Sequence, residues 1–293
     1  MKAEKGGGKN MVISKSNNDS VKLFSGAVLV LFAFALCYPL LWMFFASFKT
    51  NAEIFTGISL FPREFNLNAF RDGWKGVGNN TFTRFFTNSF LLVLPTSLFT
   101  IISSTLVAYG FARFEFRGKK ILFVLLLSTL MLPNSILLIP RYSIFHTLKV
   151  LDSYGPFFLM SIFACYPFFT YMLVQFIRGI PRELDESARM DGCNSFRTLL
   201  SILLPLLKPA LFSAGLFQFL WTYNDYFNPL VYINSVKKFP ISLALRLTLD
   251  ADTIIIWKNV MAMSFLAVLP VVALFFLCQK YFIEGIATTG LKG

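Results

Sequence analysis

Residues 85–112 read FFTNSFLLVLPTSLFTIISSTLVAYGFA and residues 113–120 read RFEFRGKK: 28 positions without a charge, then four basic side chains within eight. A helix rises about 1.5 Å per residue and the hydrocarbon core of a bilayer is about 30 Å thick, so roughly 20 apolar residues cross it. The stretch is long enough to span and apolar on all sides, and it runs into a basic cluster that is hard to translocate. Outward from it, further charge-free windows run from Leu23 to Phe48, Ile121 to Pro140, Ser153 to Ile177, Pro209 to Asn224 and Asn259 to Gln279. The window from Pro209 is cut short by Asp225, but apolar character resumes at Tyr226 and continues to Ile233. The pattern predicts an all-α membrane protein with six transmembrane helices. A β-barrel would need segments of about ten residues alternating in polarity, which these windows are not.

Composition agrees. Hydrophobic residues make up 56% of the chain and charged residues 14%, with a mean hydropathy of +0.63. The first window follows a largely polar 22-residue segment, contains Pro39 and Trp42 and lacks a small-residue cleavage site, so it reads as a retained first helix. With six spans and the N-terminus inside, the inner segments (1–22, 113–120, 178–208, 280–293) hold 16 of the 27 basic residues and the outer ones 11. Both termini are therefore placed in the cytoplasm. The domain reading is a cytoplasmic tail over 1–22, a transmembrane domain over 23–284 with a cytoplasmic loop at 178–208, and a C-terminal tail over 285–293. The net charge of +12 is assigned to basic residues flanking spans beside anionic headgroups rather than to nucleic acid.

Catalytic and metal chemistry find little material. Cys37, Cys165, Cys193 and Cys278 are scattered, His146 is the only histidine and reads as a solvated loop residue, and no phosphate-binding G-x-x-x-x-G-K-[ST] loop occurs. Asp250 and Asp252 read as a solvated loop pair. The loop from Lys49 to Arg84 carries Pro62, Gly73, Gly76 and Gly78 and should pack as an extracytoplasmic cap.

The segment from Arg178 to Lys208 reads as two short helices. Pro181 suits a first helical turn, and Glu183, Asp185 and Glu186 follow where the helix dipole favours negative charge. Gly192 can take the left-handed conformation that ends the helix. A second helix starts near Ser195, repeats Phe196, Leu199, Leu200 and Leu203 at helical spacing, and should end at Pro205.

Within this segment Glu186-Ser187-Ala188, three residues, Gly192, nine residues and Ile202-Leu203-Leu204-Pro205 resemble the EAA loop of ABC importer permeases. Further similarity lies in Tyr38-Pro39-Leu40-Leu41-Trp42, Asn88-Ser89, Ala108-Tyr109, Phe111-Ala112-Arg113-Phe114, Leu132-Pro133, Asn224-Asp225 and Gly290-Leu291-Lys292-Gly293. The chain is similar throughout to the sugar-importing subgroup, in particular the maltose-permease G type. Ser187 and Cys193 stand where that family usually has alanine.

The resemblance implies a type I ABC importer permease fold in a bacterial cytoplasmic membrane. It also implies one permease of a probable heterodimer, served by two ATPase subunits and an extracytoplasmic solute-binding protein that delivers a sugar or oligosaccharide. The chain would bind no cofactor and catalyse nothing, ATP and Mg belonging to the ATPase subunits. The loop would be a coupling helix-turn-helix whose docking residues are Glu183, Glu186, Ser187, Ala188, Asp191, Gly192, Cys193 and Phe196. Small Ser187 and Ala188 would allow close approach, and Gly290, Lys292 and Gly293 would touch the ATPase subunits. For the substrate path, Trp221, Asn224, Asp225 and Tyr226 from the fifth span and Tyr166 and Tyr171 from the fourth are candidates, with Asp225 equally readable as an interfacial residue. The alternatives are an ATP-independent secondary transporter or channel and a membrane enzyme.

Overall fold

The computed structural model describes residues 18–57, 59–249 and 255–290, with side chains described within 21–279 of these ranges. Every regular element among them is helical. In chain order these are α1 (Asn18–Ala46), α2 (Asn51–Thr56), α3 (Asn68–Trp74), α4 (Phe82–Arg113), α5 (Lys119–Leu130), α6 (Asn134–Thr147), α7 (Gly155–Ile162) and α8 (Pro167–Gly179). There follow α9 (Glu183–Met190), α10 (Ser195–Thr198), α11 (Leu204–Tyr223), α12 (Phe227–Tyr232), α13 (Ile241–Leu247) and α14 (Trp257–Gly290).

Five helical stretches are long and apolar enough to cross a bilayer: Val21–Ala46, Phe82–Arg113, Gly155–Gly179, Ser195–Tyr223 and Trp257–Gln279. The window from Ile121 is not one straight helix, because α5 and α6 meet at 108°. Pro133 disfavours helical backbone at Leu132, which puts the break there. Counted as one bent span, the pair makes six.

The fifth span departs from expectation at both ends. Pro205 does not end the helix that starts at Ser195. A π turn over Leu199–Leu203, in which Leu204 N donates to Leu199 O, joins α10 to α11. The wider turn relieves the clash between the proline ring and the carbonyl four residues earlier. The stretch from 195 to 208 is thus continuous in helix with the rest of the span. At the other end the span does not run on to Ile233: α11 stops at Tyr223, and Asp225 lies in the break before α12.

Helix α4 is central, packing on α7, α8 and α11. One apolar core at its start gathers Phe82, Phe85, Leu92, Phe157, Tyr232 and Met263. A second at its end gathers Ala108, Leu173, Ile177, Leu199, Leu203 and Leu207. Between them lies a buried seam of Ser97, Thr100, Ser103, Ser104, Ser161 and Thr170, in which Ser103 Oγ donates to Ser161 O at 2.5 Å. Small residues let helix backbones approach closely where lipid supplies no hydrophobic drive.

The 49–84 loop packs on α14 and the start of α4. Ala69 is buried, and a Cβ on Gly73 would meet Met263 at 3.0 Å on α14. Asn88 Nδ2 donates to Lys237 O (2.9 Å) and Phe239 O (3.0 Å), and Ile241 N donates to Ser89 Oγ (2.7 Å), so Asn88-Ser89 pins the segment leading into α13. His146 is exposed in the last turn of α6, stacked on Tyr142, rather than in a loop. Helix α14 continues to Gly290, so residues 285–290 of the presumed tail are helical. Lys292, Gly293, Asp250, Asp252 and the first 17 residues lie outside the described residues.

Candidate functional site

The helix pair α9–α10 begins where α8 ends. Its turn needs Gly192, whose φ of +79° lies in the left-handed region. Asn194 then caps α10, its side chain accepting from Arg197 N at 2.8 Å. The first turn of α9 carries Glu183, Asp185 and Glu186, and Arg189 sits in its last turn.

What holds this pair comes from the far end of α4. Arg113 Nε lies 2.8 Å from Asp185 Oδ2, with the two side chains 6% and 12% exposed. A guanidinium NH2 of Arg113 also donates to Ile180 O at 2.9 Å, on the strand of chain leading into α9. Tyr109 Oη, one turn earlier on α4, donates to Ser195 O at 3.0 Å at the start of α10. Tyr109, Arg113, Asp185, Ser195 and Thr198 line a small cavity of about 100 Å³ between α4 and the pair. Both helices are therefore tied to one long span by buried polar contacts.

The fold divides the eight docking candidates. Glu183, Glu186, Ser187, Asp191, Gly192 and Phe196 are exposed, and Cys193 is half-buried. Ala188 is only 2% exposed and packed inside this chain, whereas the resemblance implied a docking surface there. Sequence reading passed over Leu184 and Met190, which like Phe196 are exposed; Met190 is 88% accessible. The signal was available, since Met190 is an apolar residue among polar neighbours just before the turn. The predicted stripe on the second helix also divides: Leu199 and Leu203 are buried, Phe196 and Leu200 exposed.

The second feature is a cavity of about 790 Å³ where α8, α11 and the α5–α6 bend meet. It brings together four of the six predicted path residues: Tyr166, Trp221, Asn224 and Asp225. Tyr226 packs half-buried against Phe227, and Tyr171 faces Phe123, both outside this cavity. The Trp221 ring lies 5.1 Å from the rings of Phe168 and Phe169. Asp225 takes Asn228 N at 3.2 Å and Asn228 Nδ2 at 2.6 Å, anchoring the first turn of α12. Sequence reading missed Gln218, Asn228 and Arg141 in the same lining. Gln218 Nε2 donates to Thr222 Oγ1 at 2.8 Å, while among the described residues Gln218 Oε1 and Asn228 Oδ1 are buried acceptors without a donor. Among the described residues no three His, Cys, Asp or Glu side chains converge as a metal site.

Comparison with known proteins shows what the whole chain resembles. Residues 101–287 match the family described as binding-protein-dependent transport system inner membrane component. The chain is 32% identical over 268 residues to the probable ABC transporter permease protein YurM of Bacillus subtilis (strain 168), covering 90% of this chain and 87% of that one. It is 30% identical over 261 residues to the arabinooligosaccharides transport system permease protein AraQ of the same organism, covering 87% and 90%. Its fold superposes, with a TM-score of 0.75 at 23% identity, on a chain from the crystal structure of a bacterial ABC transporter involved in the import of the acidic polysaccharide alginate, covering 92% of this chain and 99% of that chain.

Proposed function

The chain belongs to the family of binding-protein-dependent transport system inner membrane components, and from that premise we propose that it is one of the two membrane subunits of an ATP-driven importer of a sugar or oligosaccharide. ATP and Mg are held by two partner ATPase subunits, a second permease completes the pathway, and an extracytoplasmic binding protein delivers the solute. The basic loop at 113–120 and the α9–α10 pair face the cytoplasm in this reading, as do both termini.

The observation that carries the coupling role is the exposed apolar trio Leu184, Met190 and Phe196 on a helix pair braced to α4 by buried contacts. Exposed apolar anchors suit a cleft on another subunit. Bracing lets a push on α9 reach α4 and α11 as rigid-body movement, the kind of change that alternating access needs. Nucleotide biases the two states only through its different affinity for each.

The sugar reading draws on the similarity to the arabinooligosaccharides permease AraQ and on the chemistry of the 790 Å³ cavity. Trp221 offers an aromatic face, and Gln218 and Asn228 offer acceptors that hydroxyl donors satisfy.

The test of coupling is Met190→Ala with Phe196→Ala in the reconstituted assembly. Truncating two anchors together should cost about 2–4 kcal/mol of docking. Co-purification of the ATPase subunits and stimulated ATP hydrolysis should then fall while the chain still inserts in the membrane. Undiminished co-purification with normal uptake would refute the role.

A further inference from the structure

Beside the coupling pair lies a charged groove whose cations Arg178 and Arg182 none of the roles above uses. A cavity of about 620 Å³ is lined by Arg113, Glu115, Lys119, Arg178, Arg182, Glu183 and the segment from Gly179 to Pro181, four basic side chains against two carboxylates. A neighbouring one of about 570 Å³ shares Glu115, Lys119 and Arg178 and adds Lys120, Ile121 and Phe123.

Two of the cations are already engaged. Arg113 faces Asp185, and Lys119 Nζ donates to Phe114 O and Glu115 Oε1, each at 2.8 Å. Arg178, Arg182 and Lys120 make no ion pair among the described residues. The Arg178 guanidinium is held in place, its Cζ 5.0 Å from the centre of the Phe123 ring. Helix α5 opens into the groove with no side-chain cap on its first turn, and such an end favours an anion.

The groove's surroundings select the kind of anion. From its rim rises α5, with Ile121, Leu122, Val124 and Leu125 exposed along it. A cationic pocket at the foot of an exposed apolar helix matches a headgroup with its acyl chains, whereas a free anion makes no use of the apolar face. We propose that this groove binds the phosphodiester headgroup of an anionic glycerophospholipid, with Arg178, Arg182 and Lys120 on the phosphate and the acyl chains along α5. The site stands independently of the sugar reading. Because its wall is the Gly179–Pro181 segment that carries α9, and Arg113 bonds Ile180 O there, an occupied groove stiffens the entry to the helix pair.

The experiment is lipid extraction from the full-length chain, affinity-purified out of membranes containing both phosphatidylglycerol and phosphatidylcholine. Wild type should retain phosphatidylglycerol selectively. Arg178→Gln with Arg182→Gln should lower that enrichment about fivefold per cation removed, roughly thirtyfold together. Arg178→Lys with Arg182→Lys, which keeps the charge, should retain most of it, and so should the distant pair Arg71→Gln with Lys237→Gln. Equal enrichment in the glutamine variant, equal loss in the distant control, or displacement of the lipid by inorganic phosphate would each overturn the proposal. A glutamine variant that fails to purify as a monodisperse protein is replaced by Lys120→Gln with Arg182→Gln, for which the same loss is required.

Discussion

Arg113 and Asp185 show what a single pair of residues does here. Each is nearly dry, and their contact joins the end of a span to the first turn of α9. Removing one partner from such a pair leaves a buried charge uncompensated and costs about 3–5 kcal/mol, although the intact pair itself contributes little net stability. The cost should fall locally on the helix pair. Asp185→Asn is therefore expected to speed amide exchange across residues 183–198 and to lower ATPase stimulation in the assembled importer, while amides of α4 before Tyr109 stay protected. Hydrogen exchange with mass spectrometry reads both segments, and unchanged protection at 183–198 would remove the pair from the coupling path. The same scale explains the Ala188 result. The small residue is buried against this chain, so a bulky substitution there disturbs the fold before it disturbs any partner.

Among the elements, the connection between α6 and α7 is latched to the chain after α12. The Asp152 carboxylate accepts from Ser235 Oγ (2.7 Å), Lys238 Nζ (2.9 Å), Ser235 N (2.8 Å) and Asn234 N (3.0 Å), and Asp152 N donates to Tyr232 O at 2.8 Å. The Ser235 hydroxyl first, then Lys238 and the Ser235 amide, hold this carboxyl well below the ordinary carboxylate range. A carboxyl whose pKa is depressed by folding stabilises the native state above its unfolded pKa of about 4, and that stability is lost as pH falls toward the depressed value. Thermal unfolding of the purified chain should thus show wild type losing more stability than Asp152→Asn as pH drops from neutrality to below about 4. Asparagine is the right probe because Asp152 has a φ of +52°, which asparagine tolerates. Parallel pH profiles for the two proteins would contradict the latch. The π turn at Leu199–Leu203 is the other element whose role was hidden, since it converts an apparent helix stop at Pro205 into an unbroken span.

Across the whole molecule, two apolar cores cap a seam of buried hydroxyls, and the large cavity opens between α8, α11 and the bent pair α5–α6. Movement transmitted from α9 reaches the cavity through α4 and α11, which are packed on each other. If the cavity holds sugar during transport, Trp221→Ala and Gln218→Leu should each raise the KM for uptake severalfold, or slow it at saturation, without reducing ATPase co-purification. An apolar side chain at 218 also removes the unpaired acceptor, so thermal stability should hold or rise as uptake falls. Uptake kinetics indistinguishable from wild type in both variants would place the substrate elsewhere, on the second permease.

Charge-free length and local backbone chemistry were enough, in the linear chain, to establish a helical membrane protein, the positions of its apolar stretches, the turn at Gly192 and the 20-residue motif spacing. These depend on neighbours along the sequence, where polarity and φ preferences act. Packing alone decided that Ala188 faces inward, that Tyr109 and Arg113 brace a helix pair 67 or more positions further along, and that Tyr166 joins Trp221 while Tyr171 and Tyr226 do not. Such convergence is set by which faces of separate helices meet. An all-apolar span carries no periodic pattern to reveal its buried face, so the site could be assembled only in three dimensions.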